Sequence, residues 1–224
     1  MRNVFQRKFI LLPFIAAFIW LIFTSLQNPP VTQQHSAAQL EYSILKGSRI
    51  AVLGSTNINE FTCFSEETYA KQKVEFTLDE HKTTMQFSHA MLKVPVASLD
   101  CGNVVMNSNL CRTLKSDNFP YIIVELKEAR SKDGSPMNLS NLTQMIAKVD
   151  LTLGGVRKTK EIRFSGKQVA PGHYSFNGLH NLSLKEYNLE TPAALFGLIK
   201  VADDIGVKFN LNVSATIIPA DKSL

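Results

Sequence analysis

The stretch Val207-Lys208-Phe209-Asn210-Leu211-Asn212-Val213-Ser214-Ala215-Thr216-Ile217 decides the fold. Apolar and polar residues alternate through it without a fault, which is the period of two that puts every second side chain on one face of a strand. A strand of this length, rising about 3.4 Å per residue, belongs to a large sheet. The same period returns at Ala147, Val149, Leu151 and Leu153, at Ile122, Val124 and Leu126, at Val74, Phe76 and Leu78, and at Ile162 and Phe164. Most of the chain therefore reads as antiparallel sheet with one apolar and one wet face.

Working outward, strands are expected at Leu40–Leu45, Arg49–Leu53, Phe61–Phe64, Lys73–Leu78 and Thr84–Val96. Asn103–Lys115 breaks the rhythm, because Met106, Leu110 and Leu114 recur at helical spacing and the proline at 120 forbids helix just before it. A single helix among strands predicts a lid or plug on the sheet. Strands follow at Ile122–Leu126, Met145–Leu153, Lys160–Gly166 and His173–Leu184, with Gly154-Gly155 as the clearest hairpin signal. Thr191-Pro192 predicts a short helical turn, Ala193–Phe196, closed by Gly197. An all-β class follows, an antiparallel barrel of about eight strands with one inserted helix and that short turn, since closure removes exposed edges.

The start of the chain reads as an export segment. Arg2, Arg7 and Lys8 precede an apolar run, Phe9–Phe23, that is short for a span of about 20 residues. Residues 1–26 are expected to be a signal peptide or an N-terminal membrane anchor, with cleavage favoured, and membrane association would run through residues 9–23. Residues 27–39 read as a linker, 40–218 as one domain and 219–224 as a tail. The chain carries 24 basic and 19 acidic residues, and without the three basic residues of the leader the balance is 21 to 19. That balance does not favour a nucleic acid partner. Of the cysteines, Cys63 with Cys101 is the favoured disulfide in an oxidising compartment, and Cys101 with Cys111 is the competing one.

No pattern of nucleophile, paired acid or metal ligands rises above its surroundings. His81 and His89, or His173 and His180, lack ligand spacing, no G-x-S-x-G elbow occurs, and Gly54-Ser55-Thr56 lacks the lysine and helix of a phosphate loop. On an unbroken strand His173 and His180 point to opposite faces. Neither a metal, a cofactor nor an enzymatic activity is expected. What remains is apolar surplus, with 14 phenylalanines and six methionines, and a barrel of this size either fills with such side chains or encloses a slender ligand.

The order of several segments resembles the YceI-like family, secreted bacterial β-barrels associated with polyisoprenoid binding. These are Val52–Cys63, Val94–Gly102, the helix and proline exit Leu110–Pro120, the hairpin Val149–Lys158, and Tyr187-Asn188-Leu189 followed by Pro192–Gly197. Two departures stand out: Asn107-Ser108-Asn109-Leu110-Cys111 replaces an Arg-Asp-x-His-Leu stretch, and Asn188 replaces a glycine. The resemblance implies a lipocalin-like barrel whose tunnel accepts an isoprenoid or another long-chain apolar lipid, polyprenol or quinone-like, in the periplasm or another extracytoplasmic envelope space. Alternation then nominates Phe87, Met91, Leu114, Phe119, Ile122, Val124, Val149, Leu151, Phe164, Phe176 and Phe209 as tunnel lining. The competing expectation is a stress-response or interaction scaffold whose barrel is filled by its own phenylalanines.

Overall fold

The structure, a computed structural model, describes residues 38–191, 193–194 and 199–218. The expected leader, most of the linker and the tail lie outside them. The long alternating stretch forms most of β12 (Asp204–Ile218), which pairs along one edge with β9 (His173–Ser183). Its other edge is shared. The first half of β12 pairs with β2 (Arg49–Ser55) and the second half with β1 (Ala38–Ile44). β1 opens at Ala38, so Ala38 and Gln39 are strand rather than linker.

β1 and β2 are thus one stave bent at Leu45–Ser48, where Gly47 takes a positive φ of 87°. The bend would orphan the backbone of β12, and Ser48 repairs it. Its buried hydroxyl donates to the Leu45 carbonyl at 2.7 Å and accepts from the Asn212 amide at 2.9 Å, while the Leu45 amide donates to the Asn212 carbonyl. The next stave is bent in the same way: β3 (Glu60–Ser65) pairs with β2 and β4 (Gln72–Leu78) pairs with β1.

β5 (Thr84–Pro95), β6 (Tyr121–Ser131), β7 (Thr143–Leu153), β8 (Val156–Ala170) and β9 then follow in sequence order and lead back to β12. With two bent staves counted once each, the ring closes as an antiparallel barrel of eight. Where β3 leaves the β-ladder, Phe64 bridges to Asp100, the Ser65 and Ser98 hydroxyls meet at 2.7 Å, and the disulfide Cys63–Cys101 staples the seam. This is the pairing the sequence favoured. Cys111 is free.

The helix α1 (Val104–Thr113) starts where expected, with Asn103 capping it by accepting from the Val105 and Met106 amides. The turn at Gly154-Gly155 has positive φ at both positions, 51° and 82°, which is what a two-residue hairpin matching the strand twist requires. Asn188 also holds a left-handed conformation, as one of the few non-glycine residue types that tolerate it. The short helical turn is not found at its start. Ala193–Ala194 pairs as a strand, β10, with Ile199–Lys200, β11, while Phe196 and Gly197 lie outside the described residues. One isolated turn has too few internal hydrogen bonds to offset nucleation, and pairing across a hairpin satisfies the same backbone groups.

The best-packed region sits at the end of the barrel that carries α1. There Val52, Cys63, Val96, Leu99, Leu114, Leu182, Leu184, Tyr187 and Leu189 form one buried cluster.

Candidate functional site: an apolar lumen

Inside the ring lies a cavity of about 1570 Å³, larger than the roughly 300–1,000 Å³ of ordinary small-molecule pockets. Strand alternation builds its wall. β12 contributes Val207, Phe209, Leu211, Val213, Ala215 and Ile217, the apolar set of the deciding stretch, and β7 contributes Met145, Ala147, Val149, Leu151 and Leu153. Phe76 and Phe87 face each other across β4 and β5 at 6.4 Å, and Phe164 meets Phe176 at 5.9 Å and Phe209 at 6.5 Å. These rings collar the bore and leave it unfilled. The lumen reaches the surface at both ends, because Ile58 and Val105 on the α1 side and Ile217 on the other line it while remaining 64–68% exposed.

Of the residues nominated from the sequence, Phe87, Leu114, Ile122, Val124, Val149, Leu151, Phe164, Phe176 and Phe209 lie on this wall. Met91 and Phe119 do not line it. In β5 the register with β6 shifts between Gln86 and Ala90, and His89 adopts a positive φ of 61°. This bulge changes parity, so that Met85 and Phe87 face inward before it and Ala90, Leu92 and Val94 after it. Met91 is left outside, opposite Glu125. Phe119 lies over the Gly155 turn, where an added Cβ would come within 2.5 Å of its ring.

Lining residues that sequence reasoning did not nominate include Tyr42, Phe61, Tyr174 and His180, together with Met106 and Leu110 from the lid helix. For β9 a signal was present, since Tyr174 and His180 share parity with the nominated Phe176. His173, on the other parity, is exposed.

Polar chemistry in the wall is sparse. Tyr42 donates its hydroxyl to Gln72 Oε1 at 3.0 Å, and burial raises its pKa. His180 has a buried, unpartnered Nε2, and the Tyr187 hydroxyl nearby in the fold is likewise buried and unpartnered. Burial, reinforced by the Lys160 ammonium and opposed by Glu186, lowers the His180 pKa, whereas burial and Glu186 push Tyr187 up to about 12. Among the described residues, the carboxylate and ammonium groups lining the lumen are those of Glu60, at the α1 end, and Lys82, at the other. Among the described residues no group of His, Cys, Asp or Glu could hold a metal ion.

A barrel of bent and straight staves around an apolar bore, capped by one helix, is matched by the family model of the YceI-like domain over residues 31–213. The chain belongs to the YceI-like family. Among solved structures, this YceI-like chain is similar to a polyisoprenoid binding domain from Saccharophagus degradans implicated in plant cell wall breakdown, with a TM-score of 0.52 and 14% identity over 78% of this chain and 98% of that one. It is also similar to Burkholderia cenocepacia BcnA, with a TM-score of 0.52 and 16% identity over 74% and 95% of the two chains. At these identities the likeness is one of fold. No curated protein matches the chain.

Proposed function

We propose that this protein is a non-enzymatic envelope protein that binds a long apolar lipid, a polyisoprenoid or quinone-like chain, inside its barrel and sequesters or carries it. The single observation that carries this reading is the unfilled apolar lumen, open at two ends and walled by the inward faces of every stave. A self-filled scaffold would need that space occupied by side chains. Each buried methylene gains about 0.8 kcal/mol, so a few isoprene units offset a substantial cost of association with no polar contact at all. The polyisoprenoid-binding domain among the similar structures supports the choice of ligand class. The basic start, the apolar run Phe9–Phe23 and the disulfide support a periplasmic or other extracytoplasmic location.

The test is native mass spectrometry of the full chain purified from its own envelope without delipidation, followed by lipid extraction. A retained lipid of long-chain mass is the expected result. An empty barrel that also fails to take up offered geranylgeraniol would overturn the reading.

A further inference from the structure

We infer that the lumen is polarised along its axis and takes a lipid with a single neutral hydrogen-bonding head group, a hydroxyl or carbonyl seated against His180 at the α1 end, with its tail running into the phenylalanine collar. This rests on the lipid-binding reading above and specifies the ligand and its direction. Position along β9 sets the level of His180: it comes two residues before Leu182, a residue of the same face that joins Val52, Cys63 and Leu114 in the buried cluster at the α1 end. All of these line the lumen, and Cys63 is joined to Cys101 just before the Asn103 cap of α1. His180 therefore lies toward the end that the helix covers. There the lid adds Asn109 and Thr113 to the wall, whereas Phe164, Phe176 and Phe209 crowd the bore farther along.

The Nε2 of His180 is buried and has no hydrogen-bond partner among the described residues. Such an orphan is costly unless something completes it. The reason it stands alone is visible in the sheet. Below Phe164 the ladder between β8 and β9 stops, and the turn Lys185–Tyr187 packs against both strands in the gap. Lys160, within that gap, is paired with Glu186 and does not line the lumen. Among the described residues, the charged lining residue at this end is Glu60, a carboxylate, and the ammonium of Lys82 belongs to the opposite mouth. A phosphate head at the α1 end would meet an acid and an imidazole that burial keeps neutral. A hydroxyl or carbonyl meets a ring that can donate or accept.

Three probes of one chain class separate the possibilities: geranylgeraniol, geranylgeranyl pyrophosphate and the headless hydrocarbon squalene, titrated into the delipidated full chain. Geranylgeraniol is expected to bind more tightly than either of the others. His180→Leu should weaken geranylgeraniol about tenfold while leaving squalene within twofold, and His180→Gln should restore most of the loss. Equal weakening of both lipids by His180→Leu, or no weakening, would overturn the assignment of the head group. Tighter binding of the pyrophosphate, abolished by Lys82→Ala, would overturn the direction. If squalene and geranylgeraniol bind equally, the inference falls and the carrier reading stands. If none of the three binds, the carrier reading falls with it.

Discussion

Two regions of one barrel use the same alternating pattern for opposite ends. Around α1, inward residues of several elements meet: Leu114, Tyr187 and Leu189 are no more than 4% exposed and pack on the stapled Cys63. Along the second half of β12 and in β1, residues just as apolar face the lumen and, apart from Ile44, stay half-buried or exposed, because among the described residues no inserted element covers them. The contrast teaches that alternation specifies which face points inward and leaves open whether the interior is filled. Filling depends on a separate inserted element, here the helix and the turn Lys185–Tyr187. Stability is concentrated around α1, and the bore that runs on from it is left open to a ligand.

The largest test of this contrast compares two leucine truncations. Leu189→Ala should cost about 3 to 5 kcal/mol, since it removes a fully packed side chain whose methyl approaches the Gly154 turn closely and leaves a new void. Leu211→Ala enlarges a cavity that already exists and should cost only about 1 kcal/mol, the transfer of a partly covered side chain. Denaturant unfolding of the delipidated protein measures both, and equal costs would break the distinction between the two regions. The disulfide comes next. Replacing Cys63 and Cys101 together by serine should lower stability by about 2 to 4 kcal/mol and loosen the seam between β3 and the end of β5, read as faster amide exchange around Phe64 and Asp100. Ser48→Ala is smaller, about 1 to 2 kcal/mol, because it strips the bend of β1 and β2 of a buried hydroxyl and leaves the Asn212 amide without its partner.

The same contrast explains what was legible in the chain. β7 and β12 were readable because one uninterrupted period runs their whole length, and a barrel of about eight strands, the helix and the two-glycine turn followed from local chemistry, whereas the bends that join β1 to β2 and β3 to β4 did not. The inward face of β5 was not readable across Ser88-His89, because an extra residue in a ladder leaves no mark on hydrophobic periodicity; Met91 was lost to it. β6 carries a matching irregularity between Leu126 and Glu128, after which Ala129 faces inward. Phe119 was misplaced because the stripe of a helix says nothing of where its exit loop lands. His180 was hidden for a different reason: a histidine in an apolar strand reads as surface until the parity of Phe176 is extended to it.

The smallest effect, and the sharpest, is the pH dependence of the seam at His180. Its folded pKa lies below the ordinary 6.5, so as pH falls through 6.5 the unfolded chain takes up a proton that the folded chain refuses. Stability contributed by the neutral ring is complete above 6.5 and declines toward the lower folded pKa, where the penalty levels off. The carboxylates act in another window. Asp150, held low by Thr159 and Arg157, and Glu125, held low by Lys127, keep their contribution until the pH reaches ordinary carboxylate values near 4, and lose it as the pH falls through their lower folded values. Thermal melts between pH 7.5 and 3 should therefore fall in two steps. His180→Leu should erase the upper step and leave the lower one, and geranylgeraniol should change the upper step alone, because it touches the ring and not the outer face of β6 and β7. A single acid step unchanged by the substitution would show that the buried imidazole does not feel the lumen it lines.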